Sequence, residues 1–199
     1  MTATTVHIVD DDAAVRDSLA WLLKSRGLTT QCWASGAEFL GNASGRRYGC
    51  LVLDIRMPEM SGIELFDRLR QMGCSLPVIF LTGHGDVPMA VQAIKDGAFD
   101  FLEKPVDEDK LFQRVSAAMA LNANNESNKE AADALSHRID HLTAREREVM
   151  ELVLAGKLNK VIADELGIAM RTVEVHRARI FEKMGVRSAV ELSQLLAGR

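Results

Sequence analysis

The sequence predicts an α/β domain built on a doubly wound, five-stranded parallel sheet, followed by an all-α domain of four short helices. Three observations lead there. Short apolar runs alternate with helical periodicity over residues 1–122, the composition turns polar and unpatterned at 122–128, and from Thr143 onward only helical spacing remains. A chain of 199 residues is long for one compact domain and ample for two small ones.

The elements follow in order. Residues 6–9 (Val-His-Ile-Val) read as a buried strand, and Val15, Leu19, Leu22 and Leu23 mark one face of the helix after it, with Asp12 as its N-cap. A weaker strand at 29–33 precedes a short helix near 37–40. Residues 50–53 form a strand, and Ile63, Phe66, Leu69 and Arg70 set the spacing of a helix over 63–72. A strand at 78–81 leads to a helix at 89–96 ended by Gly97. A fifth strand at 99–102 leads to a helix over 107–121 with Asp107 as its cap. Five strands alternating with five helices require right-handed crossovers and a parallel sheet covered on both faces. Residues 123–140 form a linker. Alanines and the spacing of Leu135, Ile139 and Leu142 favour helix there, while the asparagines oppose it.

The region 141–199 opens on a capping box, Thr143 with Glu146, ahead of Val149, Leu152 and Val153. Gly156, Gly167 and Gly185 end three successive helices, and 188–196 makes a fourth. Two short helices joined by a tight glycine turn predict a helix-turn-helix unit.

Composition narrows the function. No apolar stretch reaches a membrane span and no leader precedes the acidic run Asp10-Asp11-Asp12, so a cytoplasmic protein without a membrane partner is expected. Three cysteines at spacings of 18 and 24 suit neither a disulfide framework nor a zinc site. The net charge of −4 conceals a basic stripe: residues 169–187 hold Arg171, Arg177, Arg179, Lys183 and Arg187 against Glu174 and Glu182. A polyanion partner is expected for that stripe alone.

Ligands of parallel α/β sheets bind at the carboxyl ends of the strands. The polar residues following the apolar runs are Asp10 and Asp11, Asp54, Thr82 and Lys104, so one rim collects them. Crowded carboxylates raise one another's pKa unless a cation compensates, and an oxygen-only donor set with room for water suits Mg²⁺. One carboxylate could then attack a phosphoryl group, with a hydroxyl and an ammonium neutralising its oxygens.

The segments Ile8-Val9-Asp10-Asp11, Asp54-Ile55-Arg56-Met57-Pro58, Leu81-Thr82-Gly83-His84-Gly85 and Glu103-Lys104-Pro105 resemble the receiver domains of bacterial two-component response regulators, which have a flavodoxin-like fold. The resemblance covers residues 4–121. It implies Asp54 as phosphoacceptor, and Mg²⁺ (or Mn²⁺) on Asp10, Asp11, Asp54 and the backbone carbonyl of Arg56. It implies Thr82 and Lys104 on the phosphoryl oxygens, Phe101 as a switching aromatic, and a cis Lys104–Pro105 bond. As sequence alone, Phe101 reads equally as core, and His84 as an ordinary loop residue.

Residues 142–196 resemble the LuxR-type helix-turn-helix domain through Leu142-Thr143-Ala144-Arg145-Glu146, Gly156-Lys157-Leu158-Asn159-Lys160 and Arg171-Thr172-Val173-Glu174-Val175-His176-Arg177. In the third helix, Val173, Ile180 and Met184 recur on one face and predict a core side. Arg171, Glu174, Val175 and Ala178 fall opposite and are expected in the major groove, Val175 on a thymine methyl and Glu174 on cytosine N4. Lys160, Thr172, Arg177, Arg179 and Lys183 flank that strip and are expected on phosphates. Ala169 departs from the serine or threonine common before this helix, so its start is expected to be frayed or capped otherwise.

Through Gly83-His84-Gly85-Asp86-Val87-Pro88-Met89-Ala90-Val91 and Arg171-Thr172-Val173-Glu174-Val175-His176-Arg177, the whole chain resembles the FixJ type. That implies phosphorylation by a sensor histidine kinase and dimerisation through 87–102, with Val87, Val91, Lys95 and Asp100 on the contact face. It further implies inverted-repeat half-sites in double-stranded DNA and activation with RNA polymerase as a partner. Such a receiver assists its own phosphotransfer and dephosphorylation without being a turnover enzyme. Two other readings are weaker. An aspartate-based phosphatase needs a second acid two residues after the nucleophile, where this chain has Arg56. A constitutive DNA binder would not need the full set Asp10, Asp11, Asp54, Thr82 and Lys104.

Overall fold

A computed structural model describes residues 4–42, 48–83 and 87–197, without the side chain of Val87. They fall into two compact units divided after Ser127.

The first unit holds β1 (Thr5–Val9), α1 (Ala13–Ser25), β2 (Thr30–Trp33), α2 (Gly36–Gly41), β3 (Gly49–Asp54), α3 (Gly62–Gln71), β4 (Val78–Thr82), α4 (Val87–Lys95), β5 (Asp100–Glu103) and the first part of α5 (Glu108–Asp140). All strands are parallel, as the alternating pattern predicted, and they lie in the order β2-β1-β3-β4-β5. Because side chains alternate across a strand, each central strand feeds two cores. Leu51, Leu53, Val78 and Phe80 pack with Phe39, Leu65, Phe66 and Ala93 on the side of α2, α3 and α4. Val6, Ile8, Val52, Ile79 and Leu81 pack with Leu19, Leu23, Leu111 and Val115 on the side of α1 and α5.

Caps fix several helix starts. Asp12 accepts from the amides of Ala14 and Val15, and Ser61 with Glu64 forms a capping box at α3. Each such cap stabilises by about 1 kcal/mol. One expectation needs correction: Arg70 is not on the buried face of α3. Leu65 takes that face with Phe66 and Leu69, and the Arg70 guanidinium lies over the Phe66 ring at 5.6 Å.

The larger difference is α5. It does not stop near Leu121 but continues to Asp140, through the asparagine-rich run. Two polar residues of that run, Asn122 and Glu126, are each 1% exposed and extend the buried stripe of Leu111, Val115 and Ala118. Tertiary partners override the weak helix propensity of asparagine.

The second unit contains the end of α5, then α6 (Ala144–Leu154), α7 (Asn159–Leu166), α8 (Met170–Met184) and α9 (Ala189–Ala197). Thr143 and Glu146 form the expected capping box at α6. Gly167 takes a left-handed conformation (φ 62°) and turns α7 into α8. Val149, Ile162, Val173, Ile180, Met184 and Leu192 make the core, with Leu135 and Ile139 of α5 packed against it.

Candidate functional site

The carboxyl ends of the strands bring three of the expected residues into direct contact. Lys104, just past β5, places its ammonium 2.6 Å from Asp54 Oδ1 and 2.9 Å from Asp10 Oδ2. The Asp10 side chain is 1% exposed and that of Asp54 9%. Backbone groups hold the remaining oxygens: the amide of Arg56 donates to Asp54 Oδ2 at 2.9 Å, and that of Asp12 to Asp10 Oδ1 at 2.9 Å. Lys104 is placed in turn by its own amide, which donates to the carbonyl of Thr82 at 2.8 Å, and the Lys104–Pro105 bond is cis as expected.

Gly62, which sequence reasoning did not single out, is part of this pocket. A Cβ there would lie 2.1 Å from the carbonyl oxygen of Asp54, so only glycine lets α3 begin against the end of β3. The Ser61–Glu64 capping pattern is the signal in the sequence that places this helix start.

Burial raises the pKa of Asp54, helped by the charge of Asp10, and outweighs the opposing pull of Lys104 and the Arg56 amide. Burial acts to lower the pKa of Lys104, but the two carboxylates together outweigh it and hold the ammonium above its ordinary value. Desolvation thus works against an unpaired charge on either partner, and the lysine supplies the compensating charge.

The other expected residues are less closely gathered. Asp11 is exposed, and no three histidine, cysteine, aspartate or glutamate side chains among the described residues are grouped to hold a metal. Thr82 is buried beside the rim, but its hydroxyl donates to the carbonyl of Gly83 at 3.0 Å. Phe101 is partly buried and packs on the α2–α4 side of the sheet. His84 lies outside the described residues. On α4, Val91 is 42% exposed with Lys95 exposed beyond it, whereas Asp100 is ion-paired with Arg114 at 2.8 Å.

In the second unit, α8 sorts its faces as its periodicity predicted. Val173, Ile180 and Met184 are buried, while Arg171, Thr172, Val175, Ala178 and Arg179 are exposed. Glu174 pairs with Arg171 at 2.9 Å on the surface, and the Arg177 guanidinium lies over the Phe181 ring at 5.5 Å. Lys160 is exposed at the start of α7. α8 starts at Met170 on Ala169, with no side-chain cap. Lys183 is differently engaged: its ammonium donates to the buried carboxylate of Glu146 at 2.6 Å and to the carbonyl of His141 at 3.1 Å.

A doubly wound parallel sheet with this acidic, lysine-bridged rim, joined to a helix-turn-helix unit, defines a two-component response regulator of transcription. Residues 6–116 match the family model of the response regulator receiver domain, and 140–196 that of the bacterial regulatory proteins of the luxR family. The chain belongs to the response regulators that carry a LuxR-type DNA-binding domain. It is 50% identical over 193 residues to the C4-dicarboxylate transport transcriptional regulatory protein DctR of Rhodobacter capsulatus, covering 96% of this chain and 98% of that one. It is 47% identical over 195 residues to the transcriptional regulatory protein FixJ of Azorhizobium caulinodans, covering 97% and 92%. Among solved structures, the response regulator StyR superposes with a TM-score of 0.95 at 42% identity over the full length of both chains. Full-length FixJ from B. japonicum superposes with a TM-score of 0.61, also at 42% identity, over 98% and 96%.

Proposed function

We propose that the chain is a phosphorylation-gated transcription factor of the cytoplasm, with Asp54 as the phosphoacceptor and a sensor histidine kinase as the donor. The observation that carries this reading is the single lysine held between Asp10 and Asp54. In the transfer, an Asp54 carboxylate oxygen supplies the electron pair for the new O–P bond as the P–N bond of the donor phosphohistidine breaks, its electrons staying on the imidazole. Lys104 moves from carboxylate to phosphoryl oxygen, and the hydroxyl of Thr82 turns from Gly83 to donate to another. The oxygen-only donors of Asp10, Asp54 and the Arg56 carbonyl, with exposed Asp11 free to turn inward, fit Mg²⁺ or Mn²⁺. Such an ion supplies charge neutralisation of the transferring group. The chain assists this one transfer, and the later hydrolysis of its own phosphoryl group, rather than turning over a substrate.

The added charge of about −1.5 to −2 biases the receiver, through Thr82 and Phe101, towards a dimer. Val87, Val91, Lys95 and Asp100 form the contact face, for which Asp100 exchanges its pairing with Arg114. A two-fold dimer meets inverted-repeat half-sites in double-stranded DNA. Arg171, Glu174, Val175 and Ala178 read bases, Lys160, Thr172, Arg177 and Arg179 hold phosphates, and Lys183 lies at their margin. The output is activation with RNA polymerase as partner. Domain bounds of 1–122, 123–140 and 141–199 describe the chain's receiver, linker and DNA-binding parts in this reading. Labelling with acetyl phosphate and Mg²⁺ tests it: wild type is labelled and shifts to a dimer, and Asp54→Asn is not. Equal labelling of the two would remove Asp54 from the role.

A further inference from the structure

Beyond Ala118, the buried face of α5 turns polar. Leu111, Val115 and Ala118 are followed at helical spacing by Asn122 and Glu126, while residues 123–125 and 127–134 are all exposed. No apolar side chain is buried again along the helix until Leu135 and Ile139 join the core of the second unit. Two polar side chains therefore anchor the middle of a 33-residue helix.

Both ends of the Asn122 amide are used. Its Oδ1 accepts from the amide of Gly49 at 2.9 Å, and its Nδ2 donates to the carbonyl of Ser75 at 3.2 Å. Glu126 Oε1 accepts from the Ser75 hydroxyl at 2.6 Å. Glu126 Oε2 is buried without a hydrogen-bond partner among the described residues. An unsatisfied buried carboxylate oxygen is costly, so the docked state is held by specific bonds and opposed by desolvation. An apolar anchor would carry no such opposing cost.

The anchor points lie at the start of β3 and just ahead of β4, two strands whose far ends carry pocket residues. Gly49 begins β3 and Asp54 ends it, about 17 Å apart at the usual rise of a strand. Ser75 lies in the connection from α3 to β4, the strand that ends in Thr82. Further along α5, Arg138 donates to the carbonyl of Met184 at 3.0 Å, at the C-terminal end of α8. The same helix is thus bonded to the base of the strand bearing Asp54 and to the end of the helix bearing Val175.

We propose that Asn122 and Glu126 form a polar latch that keeps the linker part of α5 helical, and that an intact latch is required for phosphorylation to alter DNA affinity. With the latch open, the segment from 119 to 134 becomes a flexible tether that passes no bias between its ends. Asn122 and Glu126 are positioning residues. The second clause rests on the phosphorylation reading above, while the first does not.

The test uses the full chain as wild type, Asn122→Ala/Glu126→Ala and the conservative Glu126→Gln, which keeps the acceptor for Ser75. In unphosphorylated protein, amide exchange over 119–134, and at Gly49 whose amide loses its acceptor, should quicken on the order of tenfold in the double variant, with the rest of β3 and β4 unchanged and Glu126→Gln near wild type. After acetyl phosphate treatment, with labelling of Asp54 measured separately, the ratio of operator affinities with and without phosphorylation at fixed salt should fall towards one in the double variant. Unchanged exchange over 119–134, or quickening spread equally through β3 and β4, would overturn the latch. Local quickening with a wild-type affinity ratio would overturn its role in signalling. Absence of labelling in wild type would instead sink the phosphorylation reading and with it the second clause, leaving the exchange result to decide the first.

Discussion

The Lys183 ammonium lies 2.6 Å from the carboxylate of Glu146, whose side chain is 3% exposed and also closes the capping box at α6. This pair bolts the end of α8 to the start of α6. Burial acts to raise the pKa of Glu146, but the bonds from Lys183 and Thr143 outweigh it and hold it below the ordinary glutamate value. Removing the lysine leaves a buried carboxylate without its cation. Lys183→Met should therefore destabilise the second unit by about 1–3 kcal/mol, read by chemical denaturation. A loss of DNA affinity with unchanged stability would show that Lys183 acts on phosphate alone.

The same pair gives a pH dependence. A carboxylate with a depressed folded-state pKa contributes stability above its unfolded pKa of about 4.3, and loses it as pH falls through the lower folded value. Wild type should lose stability across that acid window. Lys183→Met should lose less there, so the gap between them narrows as pH falls. Parallel curves from pH 7 to pH 3 would contradict the assignment.

Gly62 is required by contact rather than by dihedral angle, since any Cβ would meet the Asp54 carbonyl oxygen. Gly62→Ala should push α3 from the end of β3, at a cost on the order of 2 kcal/mol or more. Labelling of Asp54 by acetyl phosphate should slow even under conditions where the variant is fully folded. Labelling at the wild-type rate in a folded variant would argue against a rigid β3–α3 junction in the pocket.

On α8, base reading and phosphate binding should separate by their salt response. Val175→Ala should cost about 1 kcal/mol of discrimination at one operator position, as expected for lost apolar contact, leaving the salt dependence unchanged. Arg179→Ala should weaken binding on all sequences and reduce the log–log salt slope by about 1. Competition binding at several salt concentrations distinguishes them.

Chelation offers a further check. Labelling of Asp54 should stop when divalent cations are removed and return with Mg²⁺, and Asp11→Ala should need far more Mg²⁺ for the same rate. An Asp11→Ala protein with the wild-type Mg²⁺ requirement would take Asp11 out of the donor set.

The sequence by itself determined the two architectures and the members of the acidic rim. Strand alternation and helical spacing are local, and strand ends must meet at one edge of a parallel sheet, so Asp10, Asp54, Thr82 and Lys104 could be placed from spacing, whereas Asp11, expected with them, is exposed. The faces of α8 followed from spacing alone for the same reason. Tertiary structure alone decided what distant partners determine. Asn122 and Glu126 read as linker because their partners, Gly49 and Ser75, lie 73 and 51 residues away. Lys183 reads as one of a basic stripe because Glu146 is 37 residues away. Polar residues declare an exposed position in sequence, and only a partner brought in by the fold makes their burial tolerable.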